Sequence, residues 1–324
     1  MSNNRICDIL KIEYPLIQGA MTWICSAKMV AAVSNAGGMG VLASNSGQTT
    51  ITTDSVETAE RIRREIHKVR ELTDKPFGLN YLIYPEGMED ADIFGEPMLQ
   101  MAYEEKVKNI VAVGPVNRRI FKELKDHGCT IIFREGDPTP EGAKAAEAEG
   151  ADIIIATGYD EGGVIPIRPI GTFSIVPVIV DAVNVPVMAA GGIVDKRGVK
   201  ASFALGAEGV YVGTRFIAST ECPVPDRVKQ DIINARSQDM VQFKSLPAYL
   251  RSTPHKLACE YAKLEESGAT REAINANVSG LIRTGMLEGN LDDGINSLNV
   301  AVDQIKDIRT CKEIVDSLMD GVVF

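Results

Sequence analysis

Eight short apolar runs recur along the first two thirds of this chain, most of them separated by stretches with the spacing of amphipathic helices. They are Tyr14-Pro-Leu-Ile-Gln-Gly19, Met39-Gly-Val-Leu-Ala43, Phe77-Gly-Leu-Asn-Tyr-Leu82, Asn109-Ile-Val-Ala-Val-Gly114, Thr130-Ile-Ile-Phe133, Asp152-Ile-Ile-Ile-Ala-Thr-Gly158, Pro186-Val-Met-Ala-Ala-Gly-Gly192 and Gly209-Val-Tyr-Val-Gly-Thr214. The runs are continuous rather than alternating in polarity, which is the pattern of parallel strands covered on both faces. Helical stretches between them include residues 27–35, 55–72, 140–149, 172–183 and 195–205. Eight such units within about 215 residues predict an α/β fold, a TIM (β/α)8 barrel. A doubly wound open sheet is the alternative, because periodicity does not prove closure.

After Ala218 the rhythm stops. Residues 221–297 read as helices and loops with no clear strand, and an amphipathic helical pattern resumes over residues 295–318. The expected organisation is a barrel over residues 1–220, a helical lid or substrate subdomain over 221–297, and a C-terminal helix within 298–324 that returns to the barrel wall. A chain of 324 residues accommodates one such domain with one insertion.

Composition narrows the function. Asp and Glu outnumber Lys and Arg 44 to 34, giving a net charge of -10. That balance argues against nucleic acid as a partner, because neutralising phosphates needs a basic surface. No apolar run reaches the length of a membrane span, and residues 1–11 are polar, without a signal-peptide core. A cytoplasmic location is therefore expected. The six cysteines form no C-x-x-C pair and no zinc-ligand spacing with the histidines, so no metal is expected and the thiols read as buried or idle.

In a TIM barrel, chemistry sits at the C-terminal ends of the strands, and the last two strand ends commonly hold a phosphate. Here those ends read Ala190-Gly191-Gly192-Ile193 and Val212-Gly213-Thr214-Arg215. Glycines let backbone N–H groups approach phosphate oxygens, and a following helix N-terminus adds a favourable dipole. Either Gly pair alone would equally suit a tight turn; the two together at this spacing point to a phosphate site. The first strand ends in Gln18-Gly19-Ala20-Met21, small enough to leave room for a flat ring over the barrel mouth, with Met21 beside it or simply filling core. Asn80 closes the third strand, and its amide can both donate to and accept from a heterocycle's polar edge, or else cap a turn.

Taken together these segments resemble the nitronate monooxygenase and FMN-dependent enoyl-acyl-carrier-protein reductase (type II) family. The likeness is carried by Tyr14-Pro-Leu-Ile-Gln-Gly-Ala-Met21, Asn35-Ala-Gly-Gly-Met-Gly40, Pro76-Phe-Gly-Leu-Asn80, Pro186-Val-Met-Ala-Ala-Gly-Gly-Ile193 and Gly206-Ala-Glu-Gly-Val-Tyr-Val-Gly-Thr-Arg-Phe216, five motifs in the family's order. The resemblance implies FMN as cofactor, with Ala20, Met21, Asn80, Gly191, Gly192, Gly213 and Thr214 as its contacts, and a helical subdomain covering the site. One departure matters. The family usually carries E-[AG]-G-G-H after the sixth strand, whereas this chain has Glu161-Gly-Gly-Val164. Valine cannot exchange a proton.

Two catalytic candidates follow. Tyr159 lies beside the lost histidine position, and a phenol stays protonated at neutral pH and can donate to a developing enolate oxygen. Packing on the rim is the plain alternative. Asp160 and Glu161 are neighbours that would be ionised, and poorer donors, unless buried. His255 in the lid segment is the second candidate, against an ordinary structural role. The expected activity is an NADH- or NADPH-driven ene-reductase acting on an enone or enoyl substrate, with nitronate oxidation or flavin binding without turnover as alternatives. Seven Lys/Arg against three Asp/Glu between Arg227 and Lys263 suit docking of an acidic acyl-carrier protein, or the phosphates of the nicotinamide, or merely a solvated face. A second copy of the chain, as a homodimer, is a further partner to consider.

Overall fold

The computed structural model describes residues 4–84, 94–244, 249–274 and 278–324. All eight apolar runs are strands of one parallel sheet: β1 (Leu16–Gln18), β2 (Gly40–Leu42), β3 (Phe77–Leu82), β4 (Asn109–Val113), β5 (Thr130–Arg134), β6 (Ile153–Thr157), β8 (Val187–Ala190) and β9 (Gly209–Val212). The short β7 (Val164–Ile165) falls between β6 and β8 in the chain but belongs to another sheet. The order is β1-β9-β8-β6-β5-β4-β3-β2. The two ends of that order meet, because Ile17 pairs with Met39 in a parallel bridge. Met39 N donates to Leu16 O and Gln18 N to Met39 O, each at 2.9 Å, and Val41 N donates to Gln18 Oε1 at 3.2 Å. The barrel is closed, and the open-sheet alternative falls away.

Alternate residues fill the barrel interior. Ile17, Met39, Val111, Ile132, Ile155 and Met188 form one buried cluster, as a period of two in each strand requires. The N-terminal helix Arg5–Leu10 plugs the bottom, with Ile6 and Leu10 joining the same cluster. Outward-facing strand residues pack under the helices. Ser55–Leu72 is representative: Asp54 caps it by accepting from Glu57 N, and Ala59, Ile62, Ile66 and Val69 make its buried stripe, at the spacing of one helical face.

Two sequence expectations need correction. The lid is not purely helical: β10 (Val241–Lys244) and β11 (Tyr249–Ser252) form an antiparallel pair, and β11 pairs with β7 from the barrel. These strands have four residues each, and Gln242 and Lys244 alternate with Val241 and Phe243, which dilutes any apolar signal. Phe243 and Leu250 nonetheless bury against Ala258, Ile274 and Ile295. The final helix is also shorter than the amphipathic pattern, spanning Cys311–Met319. Upstream, polar side chains outcompete helix formation: Asn299 N donates to Thr214 Oγ1 at 3.1 Å, and Asn299 Oδ1 accepts from Ala301 N at 3.0 Å. A capping box of Thr310 and Glu313 starts the helix proper, and it packs against helices Ala27–Asn35 and Lys196–Ala204 on the barrel wall.

Among the described residues no helix is long and apolar enough to cross a membrane. Five of the six cysteines are buried and all are free.

Strand β2 lies so close to the helix Ala27–Asn35 that a Cβ on Gly40 would sit 2.6 Å from Val30 Cα. Gly40→Ala is therefore expected to cost about 1–3 kcal/mol in stability through overpacking. Gly136→Ala, where nothing lies within 4 Å, should be nearly neutral; urea unfolding of both variants measures the contrast.

Candidate active site

The C-terminal strand ends converge on one face of the barrel. At the end of β8 the backbone turns left-handed at Gly191 (φ 98°) and Gly192 (φ 68°). Any Cβ on Gly191 would lie 2.8 Å from both Gly158 O and Thr172 Oγ1, so glycine is obligatory there. Thr172 Oγ1 fixes the turn by donating to Gly191 O at 2.9 Å. At the end of β9, Gly213 differs: among the described residues the one atom near its missing Cβ is Met21 Sδ at 3.9 Å. A side chain on Gly213 would begin in contact with Met21, and Thr214, buried just beyond, accepts from Asn299 N. In the helix after Gly192, Lys196–Ala204, two first-turn amides are occupied by Asp195, which accepts from Arg197 N and Gly198 N.

Other predicted contacts are placed as follows. Ala20 N donates to Tyr211 Oη at 2.9 Å and Met21 N to Cys25 Sγ at 3.3 Å, so these residues contribute shape rather than free donors. Asn80 lies in the wall of a cavity at the ends of β2 and β3, shared with Trp23. Trp23 is buried with φ 71°, a left-handed conformation that costs a bulky residue on the order of 1–3 kcal/mol and that clusters at functional sites.

The barrel mouth also holds a charged pair. Arg134, the last residue of β5, meets Glu161 with Nη2 at 2.5 Å from Oε2. A charged residue ending the buried run Thr130-Ile-Ile-Phe133 was the available signal for it. Burial pushes the Glu161 carboxyl up to about 7, with Arg134 pulling the other way, while burial pushes the nearby Tyr211 phenol up to about 12. Glu161 Oε1 is buried without a hydrogen-bond partner, as is Thr157 Oγ1 at the end of β6. Two orphaned polar atoms at the mouth mark a place that a polar ligand edge would complete.

The loop after β6 is clamped by the lid. Arg251, buried in β11, donates from Nη1 to Glu161 O at 2.6 Å and from Nη2 to Tyr159 O at 3.1 Å, and its guanidinium lies 5.3 Å from the Tyr159 ring centroid. Gln242 Nε2 donates to Tyr159 Oη at 2.6 Å, leaving the phenolic proton for another acceptor. Val164 sits in β7 opposite Leu250 and packs on the lid's apolar cluster. His255 lies elsewhere: its Nε2 is 3.0 Å from Asp231 Oδ1, in a network where Asp231 Oδ2 also accepts from Thr253 and Asn296. The structure thus gathers Tyr159, Glu161, Arg134 and the glycine turns, and sets His255 in a separate polar junction. The basic segment is likewise redistributed, since Lys229 and Arg251 are buried.

A family model described as nitronate monooxygenase matches residues 3–321. A probable nitronate monooxygenase of Staphylococcus aureus (strain MRSA252) is 33% identical over 77% of this chain and 77% of that protein. The (3aS,4S,5R,7aS)-5-hydroxy-7a-methyl-1-oxo-octahydro-1H-indene-4-carboxyl-CoA dehydrogenase of Rhodococcus jostii (strain RHA1) is 29% identical over 98% and 95%. Among solved structures, FabK from Thermotoga maritima superposes with a TM-score of 0.84 at 32% identity, covering 98% of this chain and 96% of that one.

The buried Glu161 gives a pH signature. Its carboxyl ionises near 4.5 when exposed and near 7 when folded, so the folded state holds the proton longer. That stability is complete below about pH 4.5 and is lost as pH rises through about 7. Glu161→Gln, which stays neutral, is expected to gain up to about 3 kcal/mol relative to the parent across this window. Denaturant unfolding of both proteins at pH 4.5, 6 and 7.5 measures it; parallel curves would contradict the assignment.

Proposed function

The chain belongs to the nitronate monooxygenase family, whose members are oxidoreductases, and from that premise we propose that it is an FMN-dependent, NAD(P)H-driven ene-reductase of enones or enoyl compounds. The observation that carries this reading is Val164. Where the family's pattern places a histidine, an aliphatic side chain packs into the lid, and nitronate oxidation loses a group that would act as base or as electrostatic partner. Reduction of an activated C=C tolerates that loss, because it needs only a proton donor and a polarised carbonyl.

The residues present fit FMN on three counts. Gly191, Gly192 and Gly213 keep side chains off the ends of β8 and β9, where backbone amides could meet a terminal phosphate. Thr157 Oγ1 and Glu161 Oε1 lack partners at the mouth, and Asn80 offers an amide at the opposite side. When bound, FMN supplies the hydride that adds to the C=C. Arg134 places positive charge where an electron-rich ring is favoured. Tyr159 is held by Gln242 and Arg251 with its own proton available, which supports it as donor to the carbonyl oxygen or the adjacent carbon. Glu161 is the next candidate, because burial keeps much of it protonated near neutrality. Nitronate oxidation is the second reading, favoured by the 33% identity with the Staphylococcus aureus relative.

Gly213→Val separates cofactor binding from folding. Among the described residues a Cβ there meets nothing closer than Met21 Sδ at 3.9 Å, and the valine methyls beyond it would enter the space assigned to the phosphate, with melting curves checking that the variant folds. The parent protein is expected to purify yellow, and this variant to be folded and colourless; full flavin content in the variant would sink the cradle.

Anaerobic oxidation of NADH and NADPH with enones, enoyl thioesters and nitronates tests the reaction itself. Rapid alkene reduction and slow nitronate turnover are expected, and the reverse ranking would favour the second reading. Tyr159→Phe should slow the alkene step about 10²–10³-fold while leaving flavin reduction unchanged. Unaltered rates in both half-reactions would remove Tyr159 from the role.

A further inference from the structure

We propose that the cavity at the ends of β2 and β3 seats a single aromatic ring attached to the C=C of the substrate. The inference rests on the ene-reductase reading and names its substrate class: uncharged aryl-substituted enones and enoyl compounds.

The cavity measures about 230 Å³, and Trp23, Ile51, Leu82, Tyr84, Phe94 and Met98 supply its apolar walls. Four of these are large apolar side chains left in solvent: Ile51 is 58% exposed, Leu82 49%, Tyr84 38% and Phe94 37%. Single exposed apolar side chains are ordinary, whereas a cluster facing one concavity marks a binding surface. Among the described residues no Asp, Glu, Lys or Arg lines it. An apolar cavity of about 150 Å³ holds benzene. The space here fits one ring with its linking carbons and is tight for a fused polycycle. Four aromatic walls, Trp23, Tyr81, Tyr84 and Phe94, favour a flat ring over an alkyl chain, through offset and edge contacts.

Position ties the cavity to the chemistry. Asn80 stands both in its wall and among the expected flavin contacts, so a ring held here lies next to the expected flavin site. The wall is also preset. Trp23 is fixed in its left-handed conformation, and the Arg283 guanidinium from the lid lies 6.0 Å from its ring centroid.

Trp23 is the only tryptophan in the chain, which gives a direct reporter. The FMN-loaded protein would be titrated with the N-acetylcysteamine thioesters of 3-phenylpropanoate, butanoate and hexadecanoate, following Trp23 emission and heat of binding. These ligands are saturated, so binding is read without turnover. The phenyl ligand is expected to bind about 10- to 100-fold more tightly than the butanoyl one, the range for burying one ring, and to shift Trp23 emission. Ile51→Asp and Leu82→Asp change exposed positions and should each weaken phenyl binding about tenfold, with melting curves checking the fold. Equal affinity for the phenyl and butanoyl ligands would overturn the proposal. So would tighter binding of the hexadecanoyl ligand, or unchanged phenyl affinity in both variants. Tight phenyl binding by a protein that reduces no enone would uphold the cavity and refute the reaction instead.

Discussion

Everything in this molecule hangs on the closure of the parallel sheet between β1 and β2. A parallel sheet of eight strands has two edges of unpaired N–H and C=O groups, and the Ile17–Met39 bridge removes both at once. Gln18 strengthens the seam with a side chain, since its Oε1 accepts from Val41 N where the two short strands run out of backbone partners. Closure brings the loop after β1, with Trp23, alongside the end of β3. Without it, Asn80 would not share a wall with Trp23.

On this rigid frame the lid acts as a second set of constraints. Most of its attachment to the mouth runs through the backbone of one loop. Arg251 holds the carbonyls of Tyr159 and Glu161, Ser297 Oγ accepts from Gly163 N, and Val300 N donates to Asp160 O. Such contacts to main chain are indifferent to side-chain identity. That explains how a valine stands at position 164 while the loop keeps its shape.

The barrel was legible because buried parallel strands leave an unambiguous trace: eight apolar runs became eight strands. The glycine turns were legible for the same reason, as Gly191 sits where no Cβ fits. The lid strands were not, because β10 and β11 are short and half polar, and their burial comes from tertiary partners that no local window contains. The polar stretch 295–301 read as helix because its apolar spacing is helical, while the decisive interactions, Asn299 with Thr214 and Ala301, are made by side chains. Glu161 was visible as a carboxylate near the site, yet its raised ionisation comes from burial, against the pull of Arg134, and no local window shows burial. His255 looked well placed in the chain, but Asp231 claims its ring.

The small sheet joining β7 to β11 has a consequence for motion. Because Val164 and Ile165 are strand partners of Leu250 and Tyr249, the hairpin and the loop bearing Tyr159 and Glu161 form one mechanical unit. A lid that swings as a free flap admits substrate to a finished site. Here the hairpin cannot lift without drawing the loop with it and loosening the Arg134–Glu161 contact. Access and assembly are thus the same coordinate, so the site is complete only when the molecule is shut.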